Sequence, residues 1–250
     1  MNALASKPSS EFSGMNANLA SSKQLMDDFY QLARVSFNDY ELKALPEQLF
    51  FKGDLSLLTR GRRVSVVGSR DVSVEGEKRT YTIVRHLIDL GITVVSGLAK
   101  GVDTVAHTTA INSGGKTIAI LGTPLELYFP TENKELQRLI SNKFLTISQF
   151  GHGYPVTKAN FPMRNRTMAL LTDATIVVEA TEKSGTRHQA EQAIKLGRPL
   201  FLLSNVIKSC KWANDLLDYG AYELTRDNLN LIDELTLERY QDNLFEDFVF

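Results

Sequence analysis

The sequence predicts an α/β fold, a doubly wound and mainly parallel sheet with helices on both faces, and three observations predict it. Short β-branched apolar runs recur from residue 62 onward, amphipathic stretches of helical period separate them, and small-residue turns close most of the runs. Uninterrupted apolar runs mark strands buried on both faces, and the stretches between them supply the covering helices.

In chain order, the strands fall at Val64–Val67, Thr93–Val95, Thr117–Leu121, Leu145–Ser148, Thr175–Val178 and Pro199–Leu203. The helices between them are Val74–Leu90, Thr104–Asn112, Lys134–Ser141, Arg164–Leu171 and Arg187–Leu196, with Tyr81, Val84, Leu87 and Ile88 of the first expected to face inward. These elements define a main domain over residues 61–225. Residues 1–22 are polar, rich in Ser, Asn and Ala, and read as a disordered lead-in. Residues 23–60 form a helical segment leading into the domain: Leu25, Phe29, Leu32 and Val35 keep helical spacing, and Leu49-Phe50-Phe51 and Leu55 to Leu58 read as a short strand and turn around Lys52-Gly53-Asp54. Residues 226–250 form an acidic amphipathic tail with Leu229, Leu231, Ile232, Leu235 and Leu237 on helix-like spacing.

Composition bounds the chemistry. The chain has 250 residues, 43% of them hydrophobic, and a formal net charge of −1, so any polyanion site must be a local patch on a near-neutral body. The lone cysteine, Cys210, has no intramolecular partner for a disulfide or a zinc-type ligand set, and a cytoplasmic setting is expected. The start lacks the basic and continuous apolar regions of a signal peptide, and no uncharged apolar run is long enough to span a bilayer. No membrane association, metal or catalytic residue is expected.

A doubly wound sheet binds its ligands beyond the carboxyl ends of its strands, so the segments following each strand are the candidates. The first strand ends in Gly68-Ser69-Arg70, where glycine permits a tight turn and Arg70 can fork onto a phosphate; an ordinary turn with a solvated arginine reads equally well. After the second strand, Ser96-Gly97-Leu98-Ala99-Lys100-Gly101-Val102-Asp103 runs into a helix that Asp103 can cap. The spacing is not that of a dinucleotide fingerprint and no acidic residue follows about 20 positions on, so no dinucleotide cofactor is expected. His107 reads as a capping or packing histidine. Lys134, at a helix start after Tyr128-Phe129-Pro130, opposes the helix dipole and is explained by an external anion or as a plain exposed lysine. Phe161-Pro162-Met163-Arg164-Asn165-Arg166 is placed just before a helix; one arginine is expected to pair with Glu179 and organise the crevice while the other faces ligand. Ser184-Gly185-Thr186 offers amides and a hydroxyl for a further phosphate.

Several stretches together resemble one family: Leu45-Pro46 through Asp54, Arg63 through Arg70, Ser96-Gly97-Leu98-Ala99 with Gly101 and Asp103, Ala106-His107, Gly114-Gly115-Lys116, Phe161-Pro162 with Arg164-Asn165-Arg166, Val178-Glu179-Ala180, Ser184-Gly185 and Gly220-Ala221. In order and spacing, over about residues 45–225, they look like the DNA-processing protein A family (DprA, also called Smf). The resemblance implies a Rossmann-like domain that binds single-stranded DNA without strong sequence preference, forms a homodimer, and helps load a RecA-type recombinase in natural transformation. It places the family's DNA-contacting arginine on Arg70 and the lysine of its Asn-Lys element on Lys134. The sequence departs from the family at Ser148-Gln149-Phe150, Ser204-Asn205 and Thr186-Arg187-His188-Gln189, and residues 226–250 offer nothing like its C-terminal winged helix. Two alternatives remain. One is a nucleotide-hydrolysing, phosphoribohydrolase-like enzyme, disfavoured because Gln189 stands where that chemistry needs a glutamate. The other is a nucleotide sensor, as in a defence system.

Overall fold

A computed structural model of the chain describes residues 37–245. The expected lead-in, the helical spacing at Leu25 to Val35, and the end of the tail from residue 246 lie outside the described residues.

The first described element is a short helix, α1 (Asp39–Ala44), closed by reciprocal capping: the Asn38 side chain accepts from the Glu41 amide, and Glu41 accepts from the Asn38 amide. Glu41 also pairs with Arg198 in a contact buried to 2–3% exposure on both sides, which fixes this helix against the body of the molecule. The chain then forms β1 (Phe50–Gly53) and a single helical turn, α2 (Ser56–Thr59), so Lys52 and Gly53, expected in a turn, pair with the sheet, and Leu57 and Leu58 are helical instead of part of a strand and turn. Gly53 has φ +114°, and any Cβ there would sit 1.9 Å from the Phe144 carbonyl oxygen, so only glycine lets β1 lie against the chain ahead of its partner strand.

The alternation of strand and helix follows as expected: β2 (Arg63–Gly68), α3 (Val74–Asp89), β3 (Thr93–Ser96), α4 (Val102–Asn112), β4 (Thr117–Leu121), α5 (Lys134–Lys143), β5 (Leu145–Ser148), α6 (Asn160–Leu170), β6 (Ala174–Glu179), α7 (Thr186–Lys195) and β7 (Leu200–Leu203). Two short helices, α8 (Ser204–Ser209) and α9 (Lys211–Leu217), lead to a last strand, β8 (Tyr222–Leu224), and then to α10 (Asn230–Phe245). The eight-stranded sheet has the order β1-β5-β4-β3-β2-β6-β7-β8, parallel throughout except for β1, which pairs antiparallel with β5. Strands β3 to β5 are laid down to one side of β2, and β6 to β8 to the other. The chain therefore reverses direction at the β2/β6 pair, where a doubly wound sheet opens a crevice.

Three further expectations need correction. Helix α3 buries Thr80, Ile83, Val84 and Leu87, while Tyr81 is 53% exposed, because the inward stripe starts one residue earlier than the aromatic suggests. The Phe161-to-Arg166 cluster lies inside α6, which begins at Asn160 instead of Arg164. Asp103 does not cap α4: the position before the helix is Gly101, and the Asp103 carboxylate turns back onto the preceding loop.

The core is continuous across the sheet. Val64, Val66, Val94, Ile118, Ile176 and Val177 are each at most 1% exposed, each such side chain stabilising by about 1.5–3 kcal/mol. Leu49, Leu55, Leu57 and Leu58 before the domain, and Ile232 after it, join the same cluster. Arg62 holds α10 to the body through a 2.7 Å bond to Asp233. Among the described residues no helix is long and apolar enough to cross a membrane.

Candidate functional site

At the reversal point, Gly68 is squeezed between the Val102 side chain and the Glu179 carbonyl, either of which a Cβ would meet at under 3 Å. The Ser69 amide donates to the Glu179 carbonyl (2.8 Å), and the Val102 amide donates to the Ser69 carbonyl (3.1 Å). This pins the turn and leaves Arg70 exposed beyond it, its guanidinium carbon 5.7 Å from the centre of the Phe161 ring. A cleft of about 430 Å³ opens here, and Gly68, Ser69, Arg70, Arg164, Asn165 and the segment Ser184 to Thr186 all line it.

The expected phosphate contacts of the last segment are partly spent inside the protein. The Ser184 amide is committed to the Thr181 carbonyl (3.0 Å). The Thr186 hydroxyl donates to the Gly68 carbonyl (3.2 Å), tying α7 to β2 across the crevice. Asn165 reaches the Gly185 carbonyl at 3.4 Å. The Arg187 and His188 amides at the start of α7 donate to the Ser184 (3.3 Å) and Gly185 (3.2 Å) carbonyls, and the Ser184 hydroxyl is buried with no partner among the described residues.

Arg164 belongs to the wall of the cleft, whereas Ser96 and Gly97 do not line it. Arg164 is 5% exposed and donates to the carbonyls of Gly97 and Ile120 (2.8 Å to the latter), stitching the ends of β3 and β4 together. A Cβ on Gly97 would fall 1.7 Å from that guanidinium. Arg164 is thus the organising arginine of the pair, but its expected partner Glu179 is engaged elsewhere, accepting from the Ser73 amide (2.9 Å) and hydroxyl (2.5 Å). Arg166 does not line the cleft and is half-buried, its Nε without a partner among the described residues. The Ser96 hydroxyl is buried on the Val66 carbonyl (2.7 Å).

Buried charge explains the rest of this wall. Asp103 accepts from the amides of Gly97 and Ala99, both at 3.2 Å; burial pushes its carboxyl above the ordinary range, and the Arg164 charge opposes that shift. Burial also lowers the Arg164 guanidinium, against the pull of Asp103. His107 is fully buried with Nδ1 2.7 Å from the Thr117 hydroxyl, and burial together with the Arg164 charge lowers its imidazole to about 3. It stays neutral at physiological pH and packs, as the sequence suggests.

A rim continues from the cleft along the strand ends. Phe161 meets Phe129 with ring centres 5.5 Å apart, and Phe129 is 49% exposed. The neighbouring Tyr128 ring carries Lys134 at 5.5 Å and Arg138 at 5.3 Å. Arg138 donates a hydrogen bond to the Tyr128 hydroxyl, and this bond, with the charges of Arg138, Lys52 and Lys134, lowers the phenol below its usual value. Asn133 holds the segment in place by donating to the Leu98 carbonyl (2.9 Å), as does Gln137 to the Leu127 carbonyl (3.1 Å). Lys100 is occupied by an ion pair with Glu132, and Arg138 also pairs with Glu135 (2.9 Å). Sequence reasoning missed Arg138 and Lys52. Arg138 was findable as the i+4 partner of Lys134 on the same exposed helix face; Lys52 comes from the distant edge strand and leaves no such signal.

The chain matches the family described as DNA recombination-mediator protein A over residues 34–235. It is 40% identical over 192 residues to the DNA processing protein DprA of Streptococcus pneumoniae, covering 77% of this chain and 65% of that protein. It is 34% identical to the Bacillus subtilis DprA over 62% of this chain and 52% of that one. The chain therefore spans about half to two thirds of these curated relatives. Among solved structures, DprA from Streptococcus pneumoniae superposes with a TM-score of 0.68 at 37% identity, covering 78% of this chain and 71% of that one. A Helicobacter pylori DprA structure, described as giving insight into that protein's single-stranded DNA binding mode, superposes with a TM-score of 0.70 at 30% identity over 80% of this chain and 92% of that one.

Proposed function

The chain belongs to the DNA recombination-mediator protein A family, and from that premise we propose that it binds single-stranded DNA, independently of sequence, along the rim that runs from Arg70 to Lys134. One observation carries the proposal: cations and rings recur along the carboxyl edge of the sheet, Arg70 on Phe161 and Phe161 on Phe129, then, from the adjacent Tyr128, Lys134 and Arg138. Successive cations suit successive backbone phosphates, and rings accept any base, so such a path tracks a flexible strand without reading it. With a net charge of −1, attraction of a polyanion rests on local patches such as this path. Gly68 and Ser69 shape the cleft beside Arg70, their polar groups largely spent inside the protein, while Asn165 and the Ser184 to Thr186 segment offer hydrogen bonds to one phosphate at the end of the path.

Recombinase loading in DNA processing, and a homodimer that presents two such rims, belong to the same reading. Pull-down of a RecA-type recombinase and sedimentation of the purified chain test these two parts. The principal test is titration of labelled oligo(dT) of increasing length at two salt concentrations. Affinity that rises with length and falls steeply with salt supports the reading. Length-independent binding, or stabilisation by a mononucleotide in the Arg70 cleft alone, overturns it in favour of a nucleotide sensor.

A further inference from the structure

A second cleft lies on the other side of the reversal point. It is about 470 Å³ in volume, formed by α3, the β7–α8 junction and the stretch from β8 to the start of α10, and it shares no lining residue with the Arg70 cleft. Four cations line it, Lys78, Arg79, Lys208 and Arg226, against the single carboxylate of Glu75. Glu75 is spoken for by Lys78, at 2.8 Å. Arg79, Lys208 and Arg226 make no ion pair with any described residue, although the Glu75 charge reaches Arg79.

The floor is apolar and rigid: Ile83, Leu203 and Leu224 are buried to 4%, 8% and 3% exposure, and Leu229 closes one side. Thr82, Ser204 and Thr225 add hydroxyl groups at the margin. Three cations brought together from α3, α8 and the segment after β8 repel one another, an arrangement that an anion would relieve. A ligand that satisfies both halves of the cleft needs a doubly charged anionic group joined to a flat, largely apolar body, and the volume suits one nucleotide unit.

We propose that this cleft is a separate site for a phosphate monoester of a nucleoside, with the phosphate on Arg79, Lys208 and Arg226 and the base over Ile83, Leu203 and Leu224. Such a group is carried by a free mononucleotide or by the 5′-phosphorylated end of a DNA strand. The site is argued without reference to the rim and stands whether or not DNA lies there.

The test is calorimetric titration with dTMP, AMP and thymidine of the full chain, of Arg70→Ala, and of two variants of the second cleft, Arg79→Ala/Arg226→Ala and Lys208→Glu. Lys208 and Arg226 are exposed, so their substitution leaves the fold in place, and a melting curve on each variant checks this. The expected result is binding of dTMP or AMP that Arg70→Ala preserves, that either second-cleft variant weakens by about tenfold or more, and that thymidine lacks. Competition by oligo(dT) with and without a 5′-phosphate then separates the two sources: preference for the phosphorylated end identifies a strand terminus, and competition by nucleotides alone identifies a free nucleotide. Loss of binding in Arg70→Ala only, equal binding of thymidine, or no binding of any of these probes at millimolar concentration overturns the proposal.

Discussion

Replacing Arg164 separates its two readings as DNA contact and as internal brace. Arg164→Met keeps most of the aliphatic stem but removes the donors that hold the Gly97 and Ile120 carbonyls. Each buried carbonyl left without a partner costs about 1–3 kcal/mol. Asp103, already pushed above the ordinary carboxylate range by burial, also loses the nearby cation that favours its charged form. Together these put the loss at about 3–5 kcal/mol, the usual size for removing one member of a buried charged network. For a chain of this length that is a fall in Tm of about 10 °C. Urea unfolding followed by circular dichroism at pH 7 measures it. A variant within about 0.5 kcal/mol of the parent that nevertheless binds DNA poorly would show that Arg164 faces ligand and that the bracing role is wrong.

Two further outcomes follow from the same geometry. His107 has its imidazole lowered from 6.5 to about 3, so the native state refuses a proton that the unfolded chain accepts; the stability this group contributes is whole above about pH 7 and is lost as pH falls from 6.5 toward 3, at about 1.4 kcal/mol per unit. Buried Asp103 acts in the opposite sense, so the readout is the difference in unfolding free energy between the parent and His107→Gln, which should shrink by about 2.5 kcal/mol between pH 7 and 4.5; a pH-independent difference contradicts the burial argument. Phe129→Ala should weaken oligo(dT) binding by about 5- to 150-fold, the worth of one stacked base at about 1–3 kcal/mol, while leaving the salt dependence unchanged because no charge is removed; a changed slope or an unchanged affinity would remove Phe129 from the path.

The strands were legible because burial on both faces leaves a plain trace: β4 and β5 fall where the apolar runs put them, and β2, β3, β6 and β7 differ by a residue at one or both ends. The last strand left no trace, since Tyr222 and Glu223 are exposed and only Leu224 is buried. The two arginines around Asn165 could not be told apart from the motif alone. Helical spacing distinguishes them, because Arg164 shares a face with the buried Asn160 and Met168 while Arg166 does not. The pairing of Lys100 with Glu132 spans 32 positions, and the cations of the second cleft come from three separate elements. Contacts of that kind are made by the topology and have no counterpart in local sequence.

If Arg70 and Lys134 touch one polyanion, each contact adds to the salt dependence of binding. With oligo(dT) long enough to span the rim, the slope of log affinity against log salt should lessen by about 0.7 in Arg70→Ala and in Lys134→Ala, and by about 1.4 in the double variant, as one and then two phosphate contacts are lost. Melting temperatures should stay near the parent's, since both side chains are exposed. Slopes equal to the parent's in all three variants would mean that the strand runs elsewhere.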